Sequence, residues 1–522
     1  MDPNEKRYKV LLIRPYYEVL KHELGAGFLP FEPLGLLCLY SALLAKGHEV
    51  KLYDCLAEHP EKITYLKEKN VFRCGSDDED IKKAIRKFSP EVVCISGMFF
   101  AQKDSFFRTA ELVKQVSSRI TVIGGGIFTS SYKDKTLTES ESFDIVVVGE
   151  GEEAIIEILD NLGNLSLVKG IYFRDKDGKI FGTSSRPMKA NLDEFPLPHR
   201  DFQKIYDYSK YVGYLWGEKL GLKKTLKRFL YYHVVFRPLI KNFVAKYFNY
   251  VHRNKAKALF LPHAFISTSR GCPNRCTFCS VHNFWAGTYR MRSADNVLKE
   301  IELLVKNGVK EIAIVDENFT LSKHRTIQIC QGIIDKKYNI RLSTNSGFYA
   351  PSLDKEVLDY LYQAGLRLLH ISIENGNQDF LNNKIRKNLD LEYAKKVIRE
   401  AKEVGLRTAG YFIFGYPEET KKTMIETLRY AFESGLDYPR FYILQPFPGT
   451  EVYETALKMG AIENKLDISR LRFTTDIPQI GTKDFTKEDV QKIYDLAYDI
   501  LRNRKYDQVK DKIPQILGWS NL

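Results

Sequence analysis

The sequence predicts an α/β protein: a doubly wound parallel sheet, then a partial (β/α)6 barrel, then a helical tail. Three observations carry this expectation. Short β-branched runs alternate with amphipathic segments over the first 200 residues, a rhythm that builds parallel sheets. Six further strand-like runs, each followed by a helical stretch, begin at Ala264. Between the two series lies a basic, aromatic segment with neither pattern. A chain of 522 residues is also too long for one ordinary core, and 44% hydrophobic with 28% charged residues excludes a disordered polymer. No apolar run reaches the roughly 18 residues of a membrane span. The opening, MDPNEKRYKVLLIRPYY, is polar and passes straight into a strand, which reads against a signal peptide.

Taken in order, KVLLI (Lys9 to Ile13) is the first strand, and PLGLLCLYSALLAKGHEV supplies a helix that Gly47 stops. VKLYD, ending at Asp54, is the second strand, and EVVCISGMFF (Glu91 to Phe100) the third. ITVIGGG (Ile120 to Gly126) and DIVVVGEGEEA (Asp144 to Ala154) complete the sheet. Such sheets bind ligands beyond the carboxyl ends of their strands. Gly124, Gly125 and Gly126 fall at one such end, and Gly149 with Glu150 at another. They are either a ligand cradle or ordinary tight turns. A short β-ribbon (Gly170 to Phe181) and EFPLPHR close this part, so a first domain is expected over 1–200.

The linking segment, 201–262, holds most of the chain's net charge of +13. From Lys210 to His263 there are twelve Lys or Arg against the single acid Glu218, interleaved with aromatics such as Tyr211, Trp216, Phe236 and Tyr247. Three readings stay open: a membrane-surface helix with a basic face, an RNA-binding surface, or an insertion packed on the next domain. The barrel is expected over 263–465, its strands being AFISTSRG, EIAIVDEN, IRLSTNSG, LLHISIENG, TAGYFIFGYP and FYILQPFPGT. Barrels of this kind carry their chemistry at the C-terminal strand ends. Residues 466–522 read as a polar helical extension without a chemical motif.

The first barrel strand ends in RGCPNRCTFCS, which places Cys272, Cys276 and Cys279 within eight positions. Eight cysteines, otherwise scattered, make no disulfide framework, so a metal site in a reducing cytosol is the expectation. Three thiolates on one short loop suit three irons of a [4Fe–4S] cubane and leave the fourth iron open. Structural zinc wants a fourth protein ligand, for which His282 is the nearby candidate.

CxxxCxΦC after a first barrel strand, with Phe278 as Φ, resembles the signature of radical S-adenosylmethionine enzymes. VDENFT, IENGNQDFL, FGYPEET and QPFPGT resemble that superfamily's later strand-end motifs, in order. PLGLLCLYSALLAKGHEV, SGMFFAQ, VIGGGIFTS and DIVVVGEGEEA resemble the cobalamin-binding domain that precedes this barrel in a large subgroup, which includes methylases and anaerobic magnesium-protoporphyrin monomethyl ester cyclase-like proteins.

The resemblance implies that Cys272, Cys276 and Cys279 ligate the cluster. Its open iron would chelate S-adenosylmethionine, and one electron from a ferredoxin- or flavodoxin-type donor would cleave it to methionine and a 5′-deoxyadenosyl radical. By motif position, Asp316, Glu317 and Asn318 would reach the methionyl amino group, Ser372 and Glu374 the ribose, and Gly415, Tyr416 and Pro417 the adenine. Cobalamin would lie against Ser96, Gly124, Gly125, Gly126, Gly149 and Glu150. The Asp-x-His-x-x-Gly loop of many cobalamin domains is missing, since no Asp-x-His occurs in the chain. That fits the radical subgroup, and equally a domain that keeps the sheet without the cofactor.

The expected activity is cobalamin-dependent methylation of an unactivated carbon. Radical cyclisation of a lipid or tetrapyrrole-like substrate is the alternative, with a non-catalytic iron–sulfur protein or a tRNA-modifying enzyme behind it. The extra cluster cysteines of tRNA methylthiolation enzymes have no counterpart here, since Cys38, Cys55, Cys74 and Cys94 fall in core contexts, which argues against nucleic acid. The basic aromatic segment points to a hydrophobic, lipid-like substrate and a cytoplasmic enzyme peripheral to an anionic membrane face. Tyr349, Tyr411 and Tyr442 stand near strand ends as candidates to quench a substrate radical.

Overall fold

The computed structural model describes residues 6–20, 32–60, 62–201, 263–285, 287–344, 346–463, 466–471 and 477–519. The basic aromatic segment lies outside these apart from His263. Two compact units result, Met1–Met188 with Phe195–Phe265 and Lys306–Glu311, and Lys189–Glu194 with Ile266–Val305 and Ile312–Leu522.

In the first unit, alternation decides the layers. Strand β1 (Lys9–Arg14) sends Val10 and Leu12 to one face and Leu11 and Ile13 to the other, and all four are buried. Val10 and Leu12 meet Leu36, Leu37, Leu43, Ile155 and Ile158 from the helices Leu34–Ala45 and Gly151–Asp160. Across the sheet, Phe106 stacks on Phe143 at 4.5 Å and meets Phe128 edge-on. Helices on both faces require a parallel sheet. Indeed β3 (Glu49–Asp54), β1, β6 (Val92–Ser96), β7 (Thr121–Gly125) and β8 (Ile145–Val147) run parallel in that order. The ribbon expected from Gly170 to Phe181 continues the sheet antiparallel as β9 (Ile171–Arg174) and β10 (Ile180–Gly182). The strand order reverses between β1 and β6, the switch point at which such sheets receive ligands.

A feature the sequence reading missed is a small antiparallel sheet, β2 (Tyr17–Leu20), β5 (Val71–Cys74) and β4 (Ile63–Leu66). A second is a buried clamp. Glu32 accepts hydrogen bonds from Arg200 Nη1 at 2.8 Å and from the Phe265 amide at 2.6 Å, while Arg200 Nη2 donates to the Phe265 carbonyl at 2.8 Å.

Apart from His263–Phe265 and Glu311, the barrel strands belong to the second unit. β11 (His263–Ile266), β14 (Glu311–Ile314) and β15 (Arg341–Thr344) form one sheet, and β16 (Leu368–Glu374), β17 (Arg407–Phe414) and β18 (Tyr438–Ile443) another. Parallel bridges Leu342–Leu366 and Phe348–Ile371 join them, so six strands follow one another as expected. A hairpin, β12 (Ser269–Gly271) with β13 (Tyr289–Met291), brackets the cysteine loop. The C-terminal extension is more than a polar tail. Its helix Lys487–Asn503 buries Val490, Ile493, Ala497 and Ile500, and Tyr498 donates to the Phe441 carbonyl of β18. No helix among the described residues is long and apolar enough to cross a membrane.

Candidate active site and cobalamin cradle

The cysteine loop is held at its base and on two sides. At the base, Gly271 has φ +88°, and a Cβ there would stand 2.0 Å from the Thr288 carbonyl oxygen, so only glycine allows the chain to turn into Cys272. Along one side, Thr277 donates from its amide to Ile385 O at 3.0 Å and from its hydroxyl to Lys384 O at 3.2 Å. Cys276 Sγ faces Arg386 O. On the other, Val452 N donates to Thr277 O at 3.0 Å.

The Asp316-Glu317-Asn318 trio divides its work. Asp316, fully buried, accepts from the Thr268 amide, the Thr268 hydroxyl and the Ser269 hydroxyl at 2.5–2.6 Å. Burial still pushes its carboxyl above the usual range. Glu317 accepts from Trp285 Nε1 at 2.6 Å and the Gly271 amide at 3.1 Å, and burial raises it too. Both carboxylates are therefore committed to the frame of the loop. Asn318 alone keeps its amide nitrogen and oxygen buried with no close hydrogen-bond partner among the described residues, its side chain reaching only towards the Cys272 thiol. Buried amides are normally satisfied, so this pair of orphans marks room for a polar ligand.

Residues of β16 face the same loop. Glu374 sits at a bulge with φ +74° and pairs with Lys387 at 3.0 Å, both buried. Lys387 stands between two left-handed residues, Arg386 and Asn388. Burial pulls its ammonium down, but Glu374 and Cys276 outweigh this and raise it. Ser372 lies so close to Gly347 that a Cβ there would overlap its hydroxyl. After β17, the amides of Gly415 and Tyr416 donate to Glu419 at 2.8 and 3.2 Å, and Asn375 donates to its other oxygen at 3.0 Å. Despite these donors, burial lifts Glu419 to about 8. Tyr416 packs edge-on against Phe278 of the cysteine loop, and its buried hydroxyl has no partner among the described residues. Pro417 follows in the same turn.

Burial pushes all three thiols up, Cys279 to about 12. Cys272 and Cys276 both act on Cys279, and Lys387 acts on all three. Among the described residues no three His, Cys, Asp or Glu side chains converge as they would on a single ion. A cubane binds each thiolate through a different iron, so its ligands stand farther apart than those of one ion. The all-thiol donor set and the orphaned Asn318 beside it fit that cluster, and His282 joins no such group. Neither Lys387 nor Glu419 was singled out from the sequence. FGYPEET contains the glutamate, but nothing in KIRKNLD marks its second lysine.

At the strand ends of the first unit the glycines differ in kind. Gly124 is packed against Phe106 and Phe143, and Gly126, at φ +117°, abuts the Gly97 carbonyl. Gly125 and Gly149 instead face open space: a Cβ on Gly149 would meet nothing within 4 Å, and one on Gly125 only Val147 at 4.0 Å. Ser96 pairs in register with Gly125, and buried Glu150 precedes the helix Gly151–Asp160. Two open glycines at neighbouring strand ends leave backbone exposed for a broad, flat ligand.

Comparison with known proteins agrees with both halves. Residues 266–431 match the radical SAM superfamily and residues 28–159 the B12 binding domain. An uncharacterised methyltransferase of Pyrococcus horikoshii is 28% identical over 97% of this chain and 95% of its own. The cytidylyl-2-hydroxyethylphosphonate methyltransferase of Streptomyces wedmorensis is 28% identical over 91% of this chain and 86% of its own. The solved radical S-adenosylmethionine methyltransferase TsrM of Kitasatospora setae, with cobalamin and a [4Fe–4S] cluster bound, has the same fold, with a TM-score of 0.63 at 16% identity over 88% of this chain and 81% of that one. The chain is a radical S-adenosylmethionine enzyme with an N-terminal cobalamin-binding domain.

Proposed function

We propose that this enzyme methylates an unactivated carbon of a hydrophobic, lipid-like substrate. Methyl transfer is supported above all by one observation: a methyltransferase aligns with 97% of this chain, through both domains. The lipid-like substrate is supported by the basic aromatic run from Lys210 to His263.

Cys272, Cys276 and Cys279 would hold the [4Fe–4S] cluster, and Ser96, Gly125, Gly149 and Glu150 the cobalamin, with Gly124 and Gly126 shaping the turn behind them. When bound, these groups supply the electron that cleaves S-adenosylmethionine and the carrier for its methyl group. The chain's own residues bind and orient. Asn318 offers one donor and one acceptor to the methionyl end, while Asp316 and Glu317 fix the loop that presents the cysteines. Ser372 and Glu374 face the ribose. Gly415, Tyr416 and Pro417, stiffened by Glu419, cradle the adenine, and Phe278 and Tyr416 keep water from it. An external one-electron donor completes the system.

The test is anaerobic reconstitution with methyl-labelled S-adenosylmethionine, followed by ultraviolet–visible spectra and product analysis. Corrinoid and cluster bands with label reaching a carbon of the product are expected. Serine at any of the three cysteines should abolish both the cluster band and S-adenosylmethionine cleavage. Label that stays on the donor while 5′-deoxyadenosine accumulates would replace methylation by radical cyclisation.

A further inference from the structure

Inside the barrel stand a cation and a hydrogen-bond acceptor that both lack a partner among the described residues. Strand alternation decides which side chains turn inward. Phe414 and Phe441 stack at 5.5 Å on the outer face, where Gly410 also packs on Leu436. The registered row Ser372–Tyr411–Arg440 therefore faces inward, as do His370 and Tyr442 two residues along their strands. Ring contacts agree: His370 stacks on Tyr411 at 5.5 Å, and Tyr411 meets Tyr442 edge-on at 5.7 Å.

In an ordinary barrel this interior is filled with branched apolar side chains. Here Arg440 is half-buried, with no hydrogen-bond or ion-pair partner among the described residues. Its charge acts on both His370 and Tyr411. His370 Nδ1 lies 3.1 Å from the Thr344 carbonyl, which can only accept, so Nδ1 carries the proton. Nε2 is left as a buried lone pair with no partner among the described residues. Burial, aided by Arg440, pulls the imidazole down to about 4, so the ring is neutral at physiological pH. Arg440 and Tyr411 each lie three residues before the ends of their own strands, roughly 10 Å along the chain, in register with Ser372 and one residue from the level of Glu374.

We infer that Arg440 and His370 anchor the substrate, which carries an anionic phosphoryl or carboxylate group for the guanidinium and, beside it, a hydroxyl or amine that donates to His370 Nε2. Guanidinium binds such anions through two parallel hydrogen bonds, and a neutral imidazole acceptor selects a donor next to them. Tyr411 and Tyr442 wall the space between. The inference rests on the proposed methylation and narrows its lipid-like substrate to one with a polar, charged end.

The test is calorimetric binding to the anaerobically reconstituted holoenzyme, using glycerol 3-phosphate, propyl phosphate, butyrate and glycerol. Glycerol 3-phosphate should bind best and glycerol not measurably. Butyrate set against propyl phosphate tells a carboxylate site from a phosphoryl site. Arg440→Met should weaken both anions by about tenfold or more, and Arg440→Lys should recover part of the loss, which guards against simple misfolding. His370→Phe, which keeps the stack, should bring glycerol 3-phosphate down to the level of propyl phosphate. Unchanged anion affinity in Arg440→Met overturns the inference. So does a parallel loss of S-adenosylmethionine affinity, which would give the guanidinium to that cofactor's carboxylate. Binding needs no turnover, so anion selectivity without methyl transfer would overturn the proposed function and leave this site standing.

Discussion

Lys387 and Glu374 permit a quantitative test of how the barrel supports its cysteine loop. Lys387→Met removes the ammonium that lies 3.0 Å from the Glu374 carboxylate, with both side chains less than a tenth exposed. Glu374 has no other polar partner among the described residues. Breaking such a buried pair from one side strands the remaining charge and costs about 3–5 kcal/mol. Adding Glu374→Gln removes the stranded charge, so the double variant should recover most of that, a coupling of about 3 kcal/mol. Hydrogen exchange of residues 368–390 reads this local stability directly. Iron content after reconstitution should follow the same order, because the segment 384–386 is bonded to Thr277 and faces Cys276. A coupling below about 0.5 kcal/mol would refute the reasoning, since the pair would then behave as an exposed one.

Gly271→Ala should prevent cluster assembly while the N-terminal unit still binds cobalamin, measured as iron against corrinoid per chain; normal iron content would contradict the clash at the Thr288 carbonyl. Glu419 titrates at 4.5 when unfolded and about 8 when folded, so the fold favours its protonated form. Its stability contribution is complete below about pH 4.5 and lost as pH rises through 8, about 5 kcal/mol in all. Glu419→Gln should remove that slope, and parallel thermal-midpoint curves for the two proteins between pH 5 and 8 would exclude it. Vesicles with anionic headgroups should co-sediment the enzyme at low salt better than neutral ones, an advantage lost on deleting residues 210–262. Equal binding to both vesicle types would remove the membrane proposal.

The strands were legible because each is a run of β-branched or aromatic residues with turn residues on either side, from KVLLI to FYILQPFPGT. The cysteine loop was legible because three thiols at that spacing have few other uses. Strands of three or four residues, such as Ser269–Gly271 and Tyr17–Leu20, are too short for any periodicity to register. The roles within Asp316-Glu317-Asn318 were hidden for another reason. All three are polar and adjacent, and only the partners, Thr268, Ser269, Gly271 and Trp285, reveal that two of them are structural. Lys387, His370 and Arg440 lie in unremarkable sequence, and their meaning comes from strand register and burial, which no local pattern encodes.

The clamp at Glu32 has a consequence for how the chain is made. Its bond to the Phe265 amide spans 233 positions, a closure costing about 5 kcal/mol of chain entropy. During synthesis the sheet up to β10 can form from local material and Glu32 can meet Arg200, yet its bond to the Phe265 amide waits until the opening of the barrel has left the ribosome. A nascent chain halted before residue 265 would therefore hold this region open to proteases, and release past that point should close it.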